Sequence, residues 1–382
     1  MKADSGRADM SQDETGAAPG GRGPAPDGSA AGKATTASRV RPERASRPRR
    51  GGLAISSNYG LPITWLFMVL LFGVLMPNSF LSPANGSYIL SSQATLLIVA
   101  IGVTVALAAG EFDLSSSGTL TMCLVVVGYL NVQNKWPVLP TVLVALAIGL
   151  LVGGVNAVLA VAGGINSLIV TLAMGSVLLG ASLGINNLTV SGISPTLVNV
   201  ARSTAGGIQL VFFYAIALAV VAWYVLQHTA LGRKLFFTGA GREVARLSGI
   251  RVDAIRAGAL IVSSVCAALA GVLLAGVLGS ADPNAGVSYM LAPFAATMLG
   301  ATSFTPGRYN IPGTTVATYF LATGIAGLQL LGLSGWISQV FYGVALILGV
   351  GLSAYASRMI SKTRGGRSKI GRARNELEKD MA

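Results

Sequence analysis

The stretch LGRKLFFTGAGREVARLSGIRVDAIR, residues 231–256, is the one long polar island between two strongly apolar halves of the chain. Everything on either side of it reads as membrane. Within the island, Ala240 to Ser248 has the make-up of a short helix. Thr238 is placed to cap its start, and Gly249 sits where a helix commonly stops in a left-handed conformation. Val244 and Leu247, three residues apart, then share one face, leaving Arg242, Glu243 and Arg246 for other directions. Two readings are open on these features alone. One is a short amphipathic helix that docks on a soluble protein; the other is a solvated loop whose charge only sets topology.

Composition decides what surrounds the island. With 52% hydrophobic and 11% charged residues, against a soluble norm of roughly 25% charged, the 382-residue chain is a membrane protein. Its net charge of +13 is confined to three places: residues 1–50, 229–256 and 358–382 carry surpluses of +4, +4 and +5. Basic charge so placed follows the positive-inside bias and assigns all three segments to the cytoplasm. A nucleic-acid partner is not expected, because no folded basic face is visible. Residues 1–58, rich in Gly, Ala, Ser, Pro and Arg, are expected to form a disordered cytoplasmic tail, and 358–382 a basic one. The N-terminal charged stretch is too long for a signal peptide.

The expected fold is an all-α membrane domain over 59–357 with about ten transmembrane helices. They fall near 61–81, 88–109, 114–132, 137–162, 165–187, 210–228, 257–279, 289–304, 312–332 and 336–357, with the polar loop 229–256 between the sixth and seventh. Residues 188–209 then form an external loop, 279–289 and 332–336 also fall outside, and FTPGRYN (304–310) falls inside. Both termini are cytoplasmic on this layout. Gly149, Gly153 and Gly154, and Gly271 with Ala275, share helix faces and permit close packing. Cys123 and Cys266 lie in apolar runs, which makes a disulfide framework improbable, and His228 reads as a helix-end residue rather than a ligand.

Glu111 and Asp113 are the only acidic residues between Glu43 and Glu243. Facing lipid at mid-membrane, either one costs roughly 2.5–3.5 kcal/mol, so a buried, water-facing or membrane-edge position is required. Gly110 and Ser115–Gly118 mark a break between helices. The break either lines or gates a pathway, or caps a helix at the cytoplasmic edge through Asp113 and the serines. Uncharged polar groups within spans, Gln93, Thr104, Asn156, Asn166, Thr171, Gln329 and Gln339, either line a path for a neutral solute or bond between helices. Glu111, Asp113, Ser115, Asn156, Asn166 and Thr171 are the candidate pathway or gating residues. No histidine pair, cysteine cluster, nucleophile elbow or phosphate-cradling loop is present, so the chain is not expected to be an enzyme or to hydrolyse ATP itself.

Five ordered segments, GEFDLSSSG (110–118), INSLIVTLAMGSVLLGASLG (165–184), TGAGREVARLSGI (238–250), AALAGVLLAGVLGSADPNAG (267–286) and ATMLGATSFTPGRYNIPGT (296–314), resemble the membrane permeases of ABC-type importers of the ribose and related monosaccharide class. The likeness covers about 60–355. It implies a homodimer or a pair of related permeases, with two ATP-binding-cassette ATPase subunits, or one fused equivalent, on the cytoplasmic face. An extracytoplasmic binding protein would deliver the solute, and ATP and Mg would belong to the partner subunits, leaving this chain without a cofactor. The compartment implied is the bacterial inner membrane. By resemblance the docking, or coupling, helix maps onto Gly241–Ile250, with Gly241, Arg242, Glu243, Ala245, Arg246, Leu247, Ser248 and Gly249 at family positions. Asp282, Pro283 and Asn284 fall in the turn facing the binding protein.

The chain departs from the family pattern at Glu111, which stands where a second Gly is usual, at Ser116 and Ser117, and at Tyr309, Asn310 and Pro312. A carboxylate near a pathway favours a more polar or cationic solute. The alternatives are a permease for branched-chain amino acids or another small solute, a standalone channel or carrier, and a receptor or scaffold.

Overall fold

The computed structural model describes residues 59–351; the two expected tails and the end of the last expected span lie outside the described residues. The chain is helical. It runs through α1 (Gly60–Leu75), α2 (Pro83–Ser92), α3 (Ala94–Ala108), α4 (Ser116–Gly128), α5 (Val138–Ala157), α6 (Ser167–Ile185), α7 (Pro195–Arg202) and α8 (Leu210–His228). The polar island forms α9 (Ala230–Ala240) and α10 (Arg242–Leu247), and α11 (Val252–Leu278), α12 (Ala292–Gly300), α13 (Ile311–Leu330) and α14 (Trp336–Gly351) follow. Four two-residue strands qualify the all-α expectation. β1 (Val190–Ser191) pairs antiparallel with β4 (Ser280–Ala281), Val190 opposite Ala281, and β2 (Thr204–Ala205) pairs with β3 (Ile208–Gln209). The first ladder joins the two loops expected outside the membrane.

Six helical segments among the described residues are long and apolar enough to cross a bilayer: Pro83–Ala108, Val138–Ala162, Ser167–Ile185, Leu210–His228, Val252–Leu278 and Ile311–Leu330. They divide into two kinds. Pro83–Ala108, Val252–Leu278 and Ile311–Leu330 bury 72–78% of their most apolar stretch inside the protein, whereas the other three bury only 22–33%. An apolar helix with so little covering needs an apolar surrounding, so the second set faces lipid or another apolar surface and the first set forms the core.

Two of the remaining expected spans are shorter. Gly60–Leu75 stops before Pro77, and α12 is nine residues, about 14 Å at helical rise. The segment expected to run through 289–304 is therefore a brief helix that ends at Gly300, with the turn beyond it held by Asn310. The Asn310 amide group donates to the Ser303 carbonyl (3.0 Å), and its Oδ1 caps α13 by accepting from the Gly313 amide (2.7 Å). Pro312 occupies the first turn of that helix, where its missing N–H costs nothing. Two of the residues that depart from the family pattern are thus the start signal of α13.

α11 is the axis of packing, lying against α3, α4 and α5. Small residues make that possible. A Cβ added at Gly149 would stand 2.5 Å from the Cβ of Ala268, and one at Gly153 2.6 Å from the Cα of Ile261, while Gly154 faces open space. Cys123 and Cys266 are buried and unpaired. His228 closes α8 and stacks on Tyr224, with ring centroids 5.6 Å apart, as a helix-end residue does.

Candidate functional site

The break between α3 and α4 is built by backbone chemistry. Gly110 takes φ +80°, its amide bonds the Leu107 carbonyl, and the Glu111 amide bonds the Ala106 carbonyl, both at 3.0 Å. This is the left-handed helix stop that a glycine makes without strain, and it turns Glu111 inward. α6 secures the next residues. The Thr171 hydroxyl accepts the Leu114 amide (3.0 Å), and the Ser167 hydroxyl accepts the Phe112 amide (3.2 Å). These are backbone groups that a membrane interior would otherwise leave unsatisfied.

Glu111 is fully buried and carries two guanidinium partners. Arg242, the first residue of α10, donates to its Oε1 at 2.7 Å and to the Gly110 carbonyl at 3.0 Å. Arg256, on the first turns of α11, donates from Nε to the same oxygen and from Nη2 to the Ala160 carbonyl (3.3 Å). One carboxylate thus ties the α3–α4 break to the short helix and to the core axis. The approach is close: α9 ends against α3, where a Cβ on Gly110 would stand 3.4 Å from the Cα of Gly239. Removing one partner of such a buried pair strands a charge, so all three groups hold one another in place.

Asp113, two residues on, is equally buried but meets hydroxyls and amides instead. Its Oδ1 accepts from the Ser115 amide (3.1 Å) and hydroxyl, and the Asn156 side-chain amide donates to the Ser115 hydroxyl (2.8 Å). Asp113 therefore holds the start of α4 through Ser115. Of the candidate pathway residues, Glu111, Asp113, Ser115, Asn156 and Thr171 are brought together around the break. Asn166 is not: exposed, it caps α6 by accepting from the Leu168 amide (2.9 Å).

The helix in the polar island is shorter than expected, Arg242–Leu247, and Gly241 rather than Thr238 precedes it. Thr238 lies inside α9 with its hydroxyl on the Lys234 carbonyl (2.9 Å), because α9 continues through the stretch where the cap was expected. Gly249 does adopt the left-handed conformation, at φ +78°. Ala245 is buried, while Val244 and Leu247 are 59% and 87% exposed. Two apolar side chains therefore stand in the open on a helix anchored from behind by Arg242. Glu243 and Ser248 are exposed, and Arg246 makes only an exposed pair with Asp253 (3.3 Å).

The 27 residues of α11 span about 40 Å, which separates this cluster from the turn beyond Leu278. There Asp282 accepts from the Asn284 amide (2.9 Å), Pro283 is buried and Asn284 is exposed. Arg202 meets the end of α11 by donating to the Val277 carbonyl (2.7 Å). Near the same turn a cleft of about 240 Å³ lies between α2, α13 and α14, lined by Tyr88, Gln93, Tyr289, Gln329, Ser338 and Tyr342 among others, none of them ionisable at neutral pH. Two of the uncharged span residues, Gln93 and Gln329, meet here; Thr104 instead bonds Thr297 and Thr314 inside the core.

Arg256 escaped the sequence reading, in which it was one more cation of a cytoplasmic loop. The signal is its place: it falls on the buried side of an apolar helix, where a cation requires a partner.

Six helices long and apolar enough to cross a bilayer, with a buried ionic cluster at one end and a neutral cleft toward the other, make this a multi-pass membrane protein, and its relatives make it a transport component. The chain belongs to the family described as branched-chain amino acid transport system / permease component, whose model matches residues 85–350. It is 31% identical over 298 residues to the ribose import permease protein RbsC of Escherichia coli (strain K12), covering 75% of this chain and 91% of the relative. It is 28% identical over 305 residues to the D-allose transport system permease protein AlsC of the same strain, covering 80% and 92%. It is 26% identical over 302 residues to the autoinducer 2 import system permease protein LsrD of Photorhabdus laumondii, covering 76% and 89%. No solved structure matches the chain.

Proposed function

We infer that this chain is the membrane permease subunit of an ATP-driven importer, carrying a monosaccharide or chemically similar small polar solute into the cytoplasm. The relatives named for ribose, allose and autoinducer 2 support the solute class. The neutral cleft at Gln93 and Gln329 fits it, since amides, hydroxyls and aromatic faces suit an uncharged polyhydroxylated solute. Glu111, neutralised by two arginines, gives no support to a cationic one.

The observation that carries the reading is the exposed Val244–Leu247 face on a helix whose first residue is tied to the α3–α4 break. In this reading Gly241–Gly249 is the coupling helix. Two ATP-binding-cassette ATPase subunits, or one fused equivalent, receive that face and supply ATP and Mg. Closure of the ATPase pair shifts α10, and Arg242 carries the shift to Glu111 and the break, which biases the spans between outward- and inward-open states. The break from Glu111 to Ser115, with Asn156 and Thr171, is the gate. An extracytoplasmic binding protein meets the turn at Asp282–Asn284, chiefly through the exposed Asn284. The chain pairs with a second copy or a paralogue in the bacterial inner membrane, crosses about ten times and keeps both termini inside.

The test is Leu247→Asp in the reconstituted complex. Because Leu247 touches little within the chain, the variant is expected to insert and melt as the wild type does while losing ATPase copurification and coupled uptake by about 30-fold or more, the effect of removing an interface hot spot. Undiminished uptake and copurification in that variant overturn the assignment of α10.

A further inference from the structure

Arg233 on α9 and Arg308 in the turn before α13 are brought together by Phe236, over whose ring the Arg308 guanidinium lies at 4.3 Å. Both arginines line two adjoining clefts, of about 270 and 460 Å³, which also share Phe236 and Tyr309. Neither cleft contains an acidic side chain, and neither arginine has a carboxylate partner among the described residues. This is unlike Arg242, Arg246 and Arg256, all of which are paired. Both are exposed, and two guanidinium groups without carboxylate partners at one hollow attract an anion.

The shape beside them says what kind. A third cleft, of about 310 Å³, shares Trp223 and Ile311 with the first and continues along α8 and α13. Its other walls are Ala219, Val220, Pro312, Val316 and similar groups, with Thr315 the one polar residue. It runs along α8, which is among the helices least covered by the protein. The two cations thus open directly onto an apolar trough along a helix that the protein leaves mostly uncovered. A free phosphate ion has no use for the trough, whereas an amphiphile fills both parts.

We propose that this composite cleft binds one anionic phospholipid, its phosphate between Arg233 and Arg308 and one acyl chain along the trough between α8 and α13. Basic pockets between membrane helices at the cytoplasmic side suit anionic head groups, and Trp223 and Tyr309 stand at the junction, where amphipathic rings favour the interface. The chain's own terminal segments are poor occupants, since both carry a positive surplus. The lipid seats against α9, the helix that leads into α10, and so bears on the orientation of the segment read above as the coupling helix.

The test is native mass spectrometry of the full chain in detergent, with phosphatidylglycerol or phosphatidylcholine of equal acyl length. Wild type is expected to retain phosphatidylglycerol about tenfold better or more: both lipids offer a phosphate, but only in phosphatidylcholine does a headgroup ammonium oppose the two guanidinium groups. Arg233→Gln with Arg308→Gln loses that preference, and the matching pair of lysine substitutions keeps most of it, which separates charge from misfolding. Val220→Trp, which fills the trough, lowers lipid retention. Equal retention of phosphatidylglycerol by wild type and the double glutamine variant overturns the proposal. Displacement of the lipid by millimolar inorganic phosphate, with Val220→Trp without effect, overturns it in favour of a free phosphate site. None of these outcomes depends on transport, so the lipid site can fail while the permease reading stands.

Discussion

At the Val252 end of α11, a fully buried carboxylate is held by two arginines; beyond the Leu278 end, a cleft lined by amides, hydroxyls and aromatic rings contains no side chain that is charged at neutral pH. The two places differ in how much displacement they tolerate. A buried ion pair tolerates little displacement, because separating its members leaves a charge in low dielectric. That intolerance suits a joint between elements that must move together. Neutral amides and hydroxyls exchange partners at about 1 kcal/mol each, which suits a surface that a solute must both reach and leave. Rigid connection and forgiving contact are thus assigned to opposite ends of one helix.

The largest effect expected from breaking this contrast comes from Glu111→Gln. It removes the only counter-charge of the buried Arg256 apart from the distant Asp253 carboxylate at 3.9 Å, and is expected to destabilise the permease by about 3–5 kcal/mol. Thermal unfolding in detergent reads the loss, and Glu111→Gln with Arg256→Met is expected to recover part of it. A wild-type unfolding profile for the single variant would show that the cluster is not a structural joint. Leu247→Asp is the companion, expected to alter coupling with no change in unfolding, since the side chain is 87% exposed.

These variants also mark what could be read in the chain beforehand. The six long apolar helices, the polar island, the left-handed Gly249 and the shared face of Val244 and Leu247 follow from local pattern, because period, composition and a helix stop are properties of neighbouring residues. The Glu111–Arg256 contact joins residues 145 apart, and no local rule pairs them. The cost of a lipid-facing charge predicts a buried, water-facing or membrane-edge Glu111 but names no partner, and Arg256 falls in the expected loop because α11 starts five residues before the span expected at 257. The segment 289–304 differs at its end. Its composition is mainly apolar, but the helix stops at Gly300, where Gly313 packs so closely that neither position has room for a side chain.

At the neutral end the expected effect is smaller. Gln329→Leu removes one amide from the cleft, including its contact with Ser338 (3.3 Å), and leaves no charge behind. The apparent KM for solute uptake is expected to rise about two- to tenfold, as for the loss of one neutral hydrogen bond, with unfolding unchanged. A rise of the same size in a charged pocket would have come with lost stability, so an unfolding shift for Gln329→Leu would place this cleft with the joint rather than with the pathway.

The smallest effect is expected where charge is present but exposed. Arg246 and Asp253 pair at 3.3 Å with side chains 60% and 61% exposed, only one helix away from the buried cluster. In water the two ions lose little by separating, and Arg256, which Asp253 also approaches at 3.9 Å, keeps Glu111, so Asp253→Asn is expected to change stability by at most about 1 kcal/mol. Part of even that belongs to the favourable place of an acid in the first turn of α11. Raising the salt concentration separates the two contributions of charge: it should erase most of the difference between Asp253→Asn and wild type while leaving the Glu111→Gln difference nearly intact, because screening reaches exposed ions and not buried ones. If salt narrows both differences equally, Glu111 is wetter than its burial implies, and the distinction between a rigid joint and an adaptable cleft has to be drawn from the neutral end alone.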